Sequence, residues 1–178
     1  MTVSGAAYYD TDESDIASSS ALKTDGAFTL SSGTVSLLSN GVGGKGLNVT
    51  GNISVTGGRM TVVTLGARYK YNSNLDSKPQ GIKTDGNINI TGGEVYAAVA
   101  SSKATTFKTD NSIIVKGGTI MGIGGKTIAL TTGSQNYNTY TQQTATGGTT
   151  FTVDGVSFTL PSGYTNTSAF VIVSSPSM

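Results

Sequence analysis

The chain contains no cysteine, no histidine and no tryptophan. A Cys/His nucleophile pair, a histidine general base and a zinc site built from Cys and His are therefore all excluded. Without cysteine no disulfide braces the fold, so stability must come from packing and stacking. Charge is scarce too: Asp, Glu, Lys and Arg make up 12% of the 178 residues, about half the usual share. With 11 basic and 10 acidic residues the net charge is +1. No basic block exists, so the dense phosphate contacts of nucleic-acid binding are not expected. No run of ~20 apolar residues occurs, so no membrane span is expected. The opening Met1-Thr2-Val3-Ser4-Gly5 lacks the basic and apolar regions of a signal peptide.

What the chain has instead is glycine, 25 residues of it, with Ser, Thr and Asn throughout. Apolar residues still reach 36% and are regularly spaced, which argues for order rather than disorder. The spacing is that of an internal repeat. The clearest unit reads Gly81-Ile82-Lys83-Thr84-Asp85-Gly86-Asn87-Ile88-Asn89-Ile90-Thr91-Gly92-Gly93-Glu94-Val95. Others begin at Leu22, Leu47 and Phe107, giving steps of 25, 35 and 25 and a longer period of 60. Residues 9–22 align without gaps on residues 69–82, so a short unit alternates with a long-looped one.

Five apolar columns result: Leu22/Leu47/Ile82/Phe107, Phe28/Ile53/Ile88/Ile113, Leu30/Val55/Ile90/Val115, Val35/Met60/Val95/Ile120 and Leu37/Val62/Ala97/Gly122. Spacing of two within a pair, as in Ile88 and Ile90, is strand periodicity. The Gly-Gly between pairs supplies a tight turn. Each unit is too short to bury a face alone; stacked units turn each column into a ladder of like side chains ~4.8 Å apart. The expectation is an all-β fold, a right-handed single-stranded parallel β-helix, forming one domain over residues 1–178 with its repeats at about 20–125. Residues 126–178 are expected to form an irregular C-terminal β cap over the open end. Within them Phe151–Leu160 reads as two strands around an Asp-Gly turn, residues 170–173 as a last strand, and residues 134–148 as a polar loop. Projecting back by 60 places Met1-Thr2-Val3 on Thr61-Val62-Val63, inside a strand. Upstream sequence, including an export signal, is therefore expected in the natural product.

Three groups of side chains are candidates for chemistry. Tyr8, Tyr9, Tyr69 and Tyr71 fall on the recurring long loops, where an aromatic face could stack on a sugar ring or pack across the loop base. Asp10, Asp12, Glu13 and Asp15 place four carboxylates in six residues, enough oxygen ligands for calcium, although the order is neither an EF-hand nor a β-roll nonapeptide; a solvated loop is the alternative. The stacked Lys23, Lys83, Lys108 and Asp25, Asp85, Asp110 read as surface ion pairs and Asp-Gly turn chemistry, or as the base and acids of a lyase.

The phrases Gly81-Ile82-Lys83-Thr84-Asp85-Gly86-Asn87-Ile88-Asn89-Ile90-Thr91-Gly92-Gly93 and Lys45-Gly46-Leu47-Asn48-Val49 resemble a family of bacterial carbohydrate-binding parallel β-helix proteins with a pectate-lyase-like fold. Thr50 and Asn111 depart from the family's Asp and Gly. The resemblance implies calcium-assisted, non-catalytic binding of an acidic plant polysaccharide such as pectin or polygalacturonate, outside the cell or on its surface. A lyase-like enzyme and a structural stalk or adhesin segment are the alternatives.

Overall fold

The computed structural model describes residues 1–178. It is all-β, with no helix and so none long and apolar enough to cross a membrane. The early strands are β1 (Thr2–Val3), β2 (Tyr8–Asp10), β3 (Asp15–Ala17), β4 (Ser20–Thr24), β5 (Phe28–Leu30) and β6 (Thr34–Ser39). Next come β7 (Lys45–Val49), β8 (Ile53–Val55), β9 (Arg59–Thr64), β10 (Tyr69–Lys70), β11 (Asp76–Ser77) and β12 (Ile82–Thr84). The long β13 (Ile88–Val99), β14 (Phe107–Lys108) and β15 (Ile113–Gly124) complete the repeats. The tail holds β16 (Asn138–Thr146), β17 (Thr150–Val153), β18 (Val156–Thr159) and β19 (Thr165–Ser174).

Each unit contributes to three walls of parallel strands in turn. The first wall is β4, β7, β12 and β14, pairing Leu22 with Leu47, Leu47 with Ile82, and Ile82 with Phe107. The second is β5, β8 and the first halves of β13 and β15, pairing Phe28, Ile53, Ile88 and Ile113 in sequence. The third is β1, β6, β9 and the second halves of β13 and β15, pairing Val35, Met60, Val95 and Ile120. All five columns therefore stack in register. A core of 21 buried residues fills the space between the walls. Leu22, Phe28 and Val35, on the first unit, are only partly buried; beyond this unit β1 pairs only at Leu38 and Ser39.

The turns explain the glycine pattern. The second glycine of each pair has a positive φ, 77° at Gly58 and Gly93 and 79° at Gly118, and Gly33 has 80°. Such a conformation suits glycine because it has no Cβ. The first glycine is required for another reason. A Cβ on Gly57, Gly92 or Gly117 would come within 3.0 Å of the carbonyl oxygen of Ser31, Thr56 or Thr91 on the unit before. The first unit, with no strand stacked there, has Ser32 instead. The Thr of Lys-Thr-Asp is a staple between units. Thr84 Oγ1 donates to Gly51 O and accepts from Gly86 N–H at 3.0 Å; Thr109 Oγ1 donates to Gly86 O at 2.5 Å and accepts from Asn111 N–H at 3.0 Å. Asn52 Oδ1 accepts from Asn87 N–H at 2.8 Å, and Asn87 Oδ1 from Ser112 N–H at 3.2 Å.

Gly122, the one non-apolar member of its column, sits beside Phe107. A Cβ there would lie 3.0 Å from the Phe107 ring and 2.7 Å from Thr106 Oγ1. Across successive units the two columns trade volume, from Leu47 with Val62, through Ile82 with Ala97, to Phe107 with Gly122. The exchange is clear at the last step, where Phe107 is the largest of its column and Gly122 the smallest of the other, as close packing demands.

The tail does more than close an edge. β19 pairs antiparallel with β15, setting Val173 against Met121 and Val171 against Ile123, and β16 pairs antiparallel with β19. The sheet is therefore mixed. Between β16 and β19 the chain folds over the outer face of the third wall. There Phe158, Leu160 and Tyr164 bury Tyr96, Ala98, Met121 and Ile123 in a second apolar cluster. Tyr164 Oη reaches Val99 O and Ile123 O, both at 3.2 Å. The β17–β18 hairpin turns at Asp154 and Gly155, both at positive φ, as the Asp-Gly reading expects. Residues 134–148 differ from the loop expected: β16 lies there, an edge strand whose side chains are mostly exposed and so carry no apolar period.

Candidate functional site

The two long loops are hairpins. β2 pairs antiparallel with β3 and β10 with β11. They stand on either side of the short loop at Gly41–Gly44, with Ala7 N–H donating to Val42 O at 2.7 Å and Gly43 N–H to Ala67 O at 2.8 Å. Gly43 allows this approach: a Cβ there would lie 2.8 Å from the Cβ atoms of both Ala7 and Tyr69.

The ungapped alignment of the loops needs one correction. Tyr8 pairs with Ala17 and Tyr69 with Ser77. Since residues 17 and 77 are equivalent in the 60-residue period, Tyr8 rather than Tyr9 is the counterpart of Tyr69. The second hairpin is one residue shorter at its turn. Both turns use the same device: Asp10 Oδ1 accepts from Asp12 N–H at 3.0 Å and Glu13 N–H at 3.4 Å, and Asn72 Oδ1 accepts from Asn74 N–H at 2.8 Å and Leu75 N–H at 2.9 Å. Such Asx turns compete well in loops.

The tyrosines just before these two residues meet. Tyr9 and Tyr71 stack with ring centroids 4.0 Å apart and planes at 1°. Each therefore gives one face to the other hairpin, so packing across the loops accounts for part of the tyrosine pattern. Tyr8 is 58% exposed and Tyr71 50%, while Tyr9 and Tyr69 are half-buried.

The carboxylates of the two hairpins differ in their surroundings. Asp76 is paired by Arg68 and, at 3.8 Å, by Lys78. Asp10, Asp12, Glu13 and Asp15 have no basic partner within 4.0 Å. Asp10, Glu13 and Asp15 line one shallow depression, and Asp12 is not part of its lining. Asp15 Oδ1 accepts from Ile16 N–H at 2.7 Å. The four do not converge as a ready-made cluster of three ligands. Their chemistry fits a hard cation, which takes carboxylate oxygens together with water or ligand oxygens, with one oxygen each of Asp10 and Asp15 already used by the backbone.

Sequence reasoning missed the residue beneath the hairpins. Lys45 Nζ donates to Ser18 Oγ at the foot of the first hairpin and to Ser77 Oγ, 3.3 Å away, at the foot of the second. Ser77 Oγ in turn donates to Gly43 O at 2.8 Å. Burial, then the charges of Lys83 and Lys23, hold the Lys45 pKa below its ordinary value. Its signal was present two positions upstream of the first apolar column, where Ser20, Lys45, Gln80 and Thr105 form a polar column. Two of the outward lysines are ion-paired instead, Lys83 with Asp85 at 2.7 Å and Lys108 with Asp110, while Lys23 has no carboxylate within 4.0 Å. The Lys108 ammonium, through its hydrogen bond and its charge, holds the Asp110 carboxyl below its usual value.

Comparison of the chain with protein-family models, with curated proteins and with solved structures gives no match.

Proposed function

We propose that the three stacked walls form a right-handed parallel β-helix, and that the chain binds an acidic polysaccharide through calcium at its hairpin face, outside a bacterial cell and without cleaving it. The observation that carries this reading is the unneutralised Asp10, Asp12, Glu13 and Asp15 beside the Tyr9–Tyr71 stack. At net charge +1 the protein has no general attraction for a polyanion. Carboxylates on protein and sugar repel unless a divalent ion bridges them. Asp10, Glu13 and Asp15 would hold that ion with their free oxygens, and Tyr8 would lie against the sugar with its exposed ring.

The resemblance of the repeat to carbohydrate-binding β-helix proteins supports the same ligand class. The lyase alternative needs a free lysine as base. Lys83 and Lys108 each have a carboxylate partner two residues on, whereas Lys23 and Lys45 have none, so release of unsaturated sugar from polygalacturonate is the assay that separates cleavage from binding. The test is retardation in gels containing polygalacturonate, with calcium and with chelator. Binding should vanish with chelator and weaken in a double Glu13→Ala, Asp15→Ala variant and in a Tyr8→Ala variant. No calcium-dependent retardation, or binding unchanged by both variants, would overturn the proposal. Absence of any glycan binding would favour the stalk.

A further inference from the structure

The tail builds a second concave surface, apart from the hairpins. A groove of about 620 Å³ runs past Gln135, Asn136, Tyr137, Asn138 and Asp154. A neighbouring concavity of about 330 Å³, bordered by Glu94 and Ser157, meets it at Asp154. Both fall within the ~300–1,000 Å³ of small-ligand sites, and they share Asp154 in their linings.

The groove is pre-arranged. The Asp-Gly turn, with φ of 49° at Asp154 and 73° at Gly155, carries the Asp154 carboxylate to its edge. Tyr140 Oη donates to that carboxylate, at 2.8 Å from one oxygen and 2.9 Å from the other, and Asn138 Nδ2 donates at 3.0 Å. Gln135 Nε2 fixes the strand beneath, donating to Gly118 O and Ser174 Oγ, both at 2.9 Å. The Tyr137 side chain lies exposed on the lining. Fixed amide and carboxylate groups beside an open aromatic ring match the hydroxyls and the apolar face of a sugar.

The charge of the lining sets the class of sugar. No lysine or arginine lines either concavity, whereas Asp154 and Glu94 do. Glu94 is paired with Arg59 at 2.8 Å; Asp154 has no cation. A polyanion meets repulsion here. We infer that this groove binds a neutral polysaccharide without calcium, Tyr137 stacking on a ring and Asp154 with Asn138 hydrogen-bonding its hydroxyls. It is a second site, with a ligand different from that proposed for the hairpins.

Affinity electrophoresis of the full chain in gels containing galactomannan, xyloglucan or hydroxyethylcellulose, with chelator present throughout, tests it. At least one polymer should retard the protein. Tyr137→Ala and Asp154→Asn should each weaken that retardation about tenfold, a change of ~1.4 kcal/mol; asparagine tolerates the positive φ at residue 154, so the turn survives. Tyr71→Ala should leave it unchanged, which separates this groove from the hairpin face. Retardation by none of the three polymers, or retardation indifferent to both groove substitutions, would overturn the inference.

Discussion

The stacked units and the tail bury similar apolar residues by opposite means. In the units apolar side chains stack in columns, the positive-φ glycine recurs in all four turns, and the Thr staple and the Asn acceptor each recur in two. In the tail nothing repeats, pairing is antiparallel, and single residues such as Tyr164 hold several segments at once. Repetition spreads stability over many small equal terms. A fold without repetition concentrates it.

Six substitutions, in four tests, sharpen that contrast. The largest effect belongs to the stacking itself. Gly92→Ser should cost ~2–3 kcal/mol by overpacking, because its Cβ meets the Thr56 carbonyl. Ser32→Gly, at the equivalent place with no unit stacked on it, should change stability by less than ~1 kcal/mol. Urea unfolding of both variants checks the difference. Next is the volume exchange. Gly122→Ala alone should cost ~1–3 kcal/mol, and Phe107→Leu in the same chain should recover part of it, a coupling of ~0.5–3 kcal/mol in a double-mutant cycle.

In the tail, Tyr164→Phe should cost ~1 kcal/mol through its lost hydrogen bonds, read as a lower melting temperature. Burial pushes the Tyr164 hydroxyl well above its ordinary pKa of 10.0. The folded state therefore keeps this proton at a pH where the unfolded state loses it. The stability it contributes is whole below about pH 10 and declines as pH rises beyond that. The phenylalanine variant should show a shallower alkaline loss than the parent. Smallest is Asp85→Asn. Its pair with Lys83 is exposed, and an exposed pair is worth less than ~1 kcal/mol, so its melting curve should nearly overlay the parent's.

The columns were legible because each stacked position carries the same kind of side chain, and a period of 25 or 35 residues repeats that constraint four times. Leu22 through Phe107 could be paired from sequence alone, and the first wall pairs them so. The outer apolar face was not read, though a sign existed. Tyr96-Ala97-Ala98-Val99 is a continuous apolar run rather than an alternation, as strands buried on both faces show, and the tail covers it. β16 left no such sign, since an exposed edge strand needs no apolar period. At the hairpins the types of residue were legible but their partners were not. Tyr9 meets Tyr71, residues that are not equivalent in the 60-residue period, so the repeat alone does not pair them. Lys45 was hidden by an expectation that lysine faces water.

Everything rests on the register of the stacked units, which also brings the two hairpins side by side. A cysteine-free chain allows a direct measurement: oxidation of engineered cysteine pairs on neighbouring strands. Asn48 and Lys83 are register partners on β7 and β12, and strands there are ~4.8 Å apart, inside the Cα range of a disulfide, ~4.4–6.8 Å. The variant Asn48→Cys, Lys83→Cys should oxidise to an intramolecular disulfide nearly completely, while Asn48→Cys, Thr84→Cys, whose second side chain points to the other face, should stay reduced. Efficient crosslinking of the second pair, with none of the first, would contradict the register and with it the placement of the site.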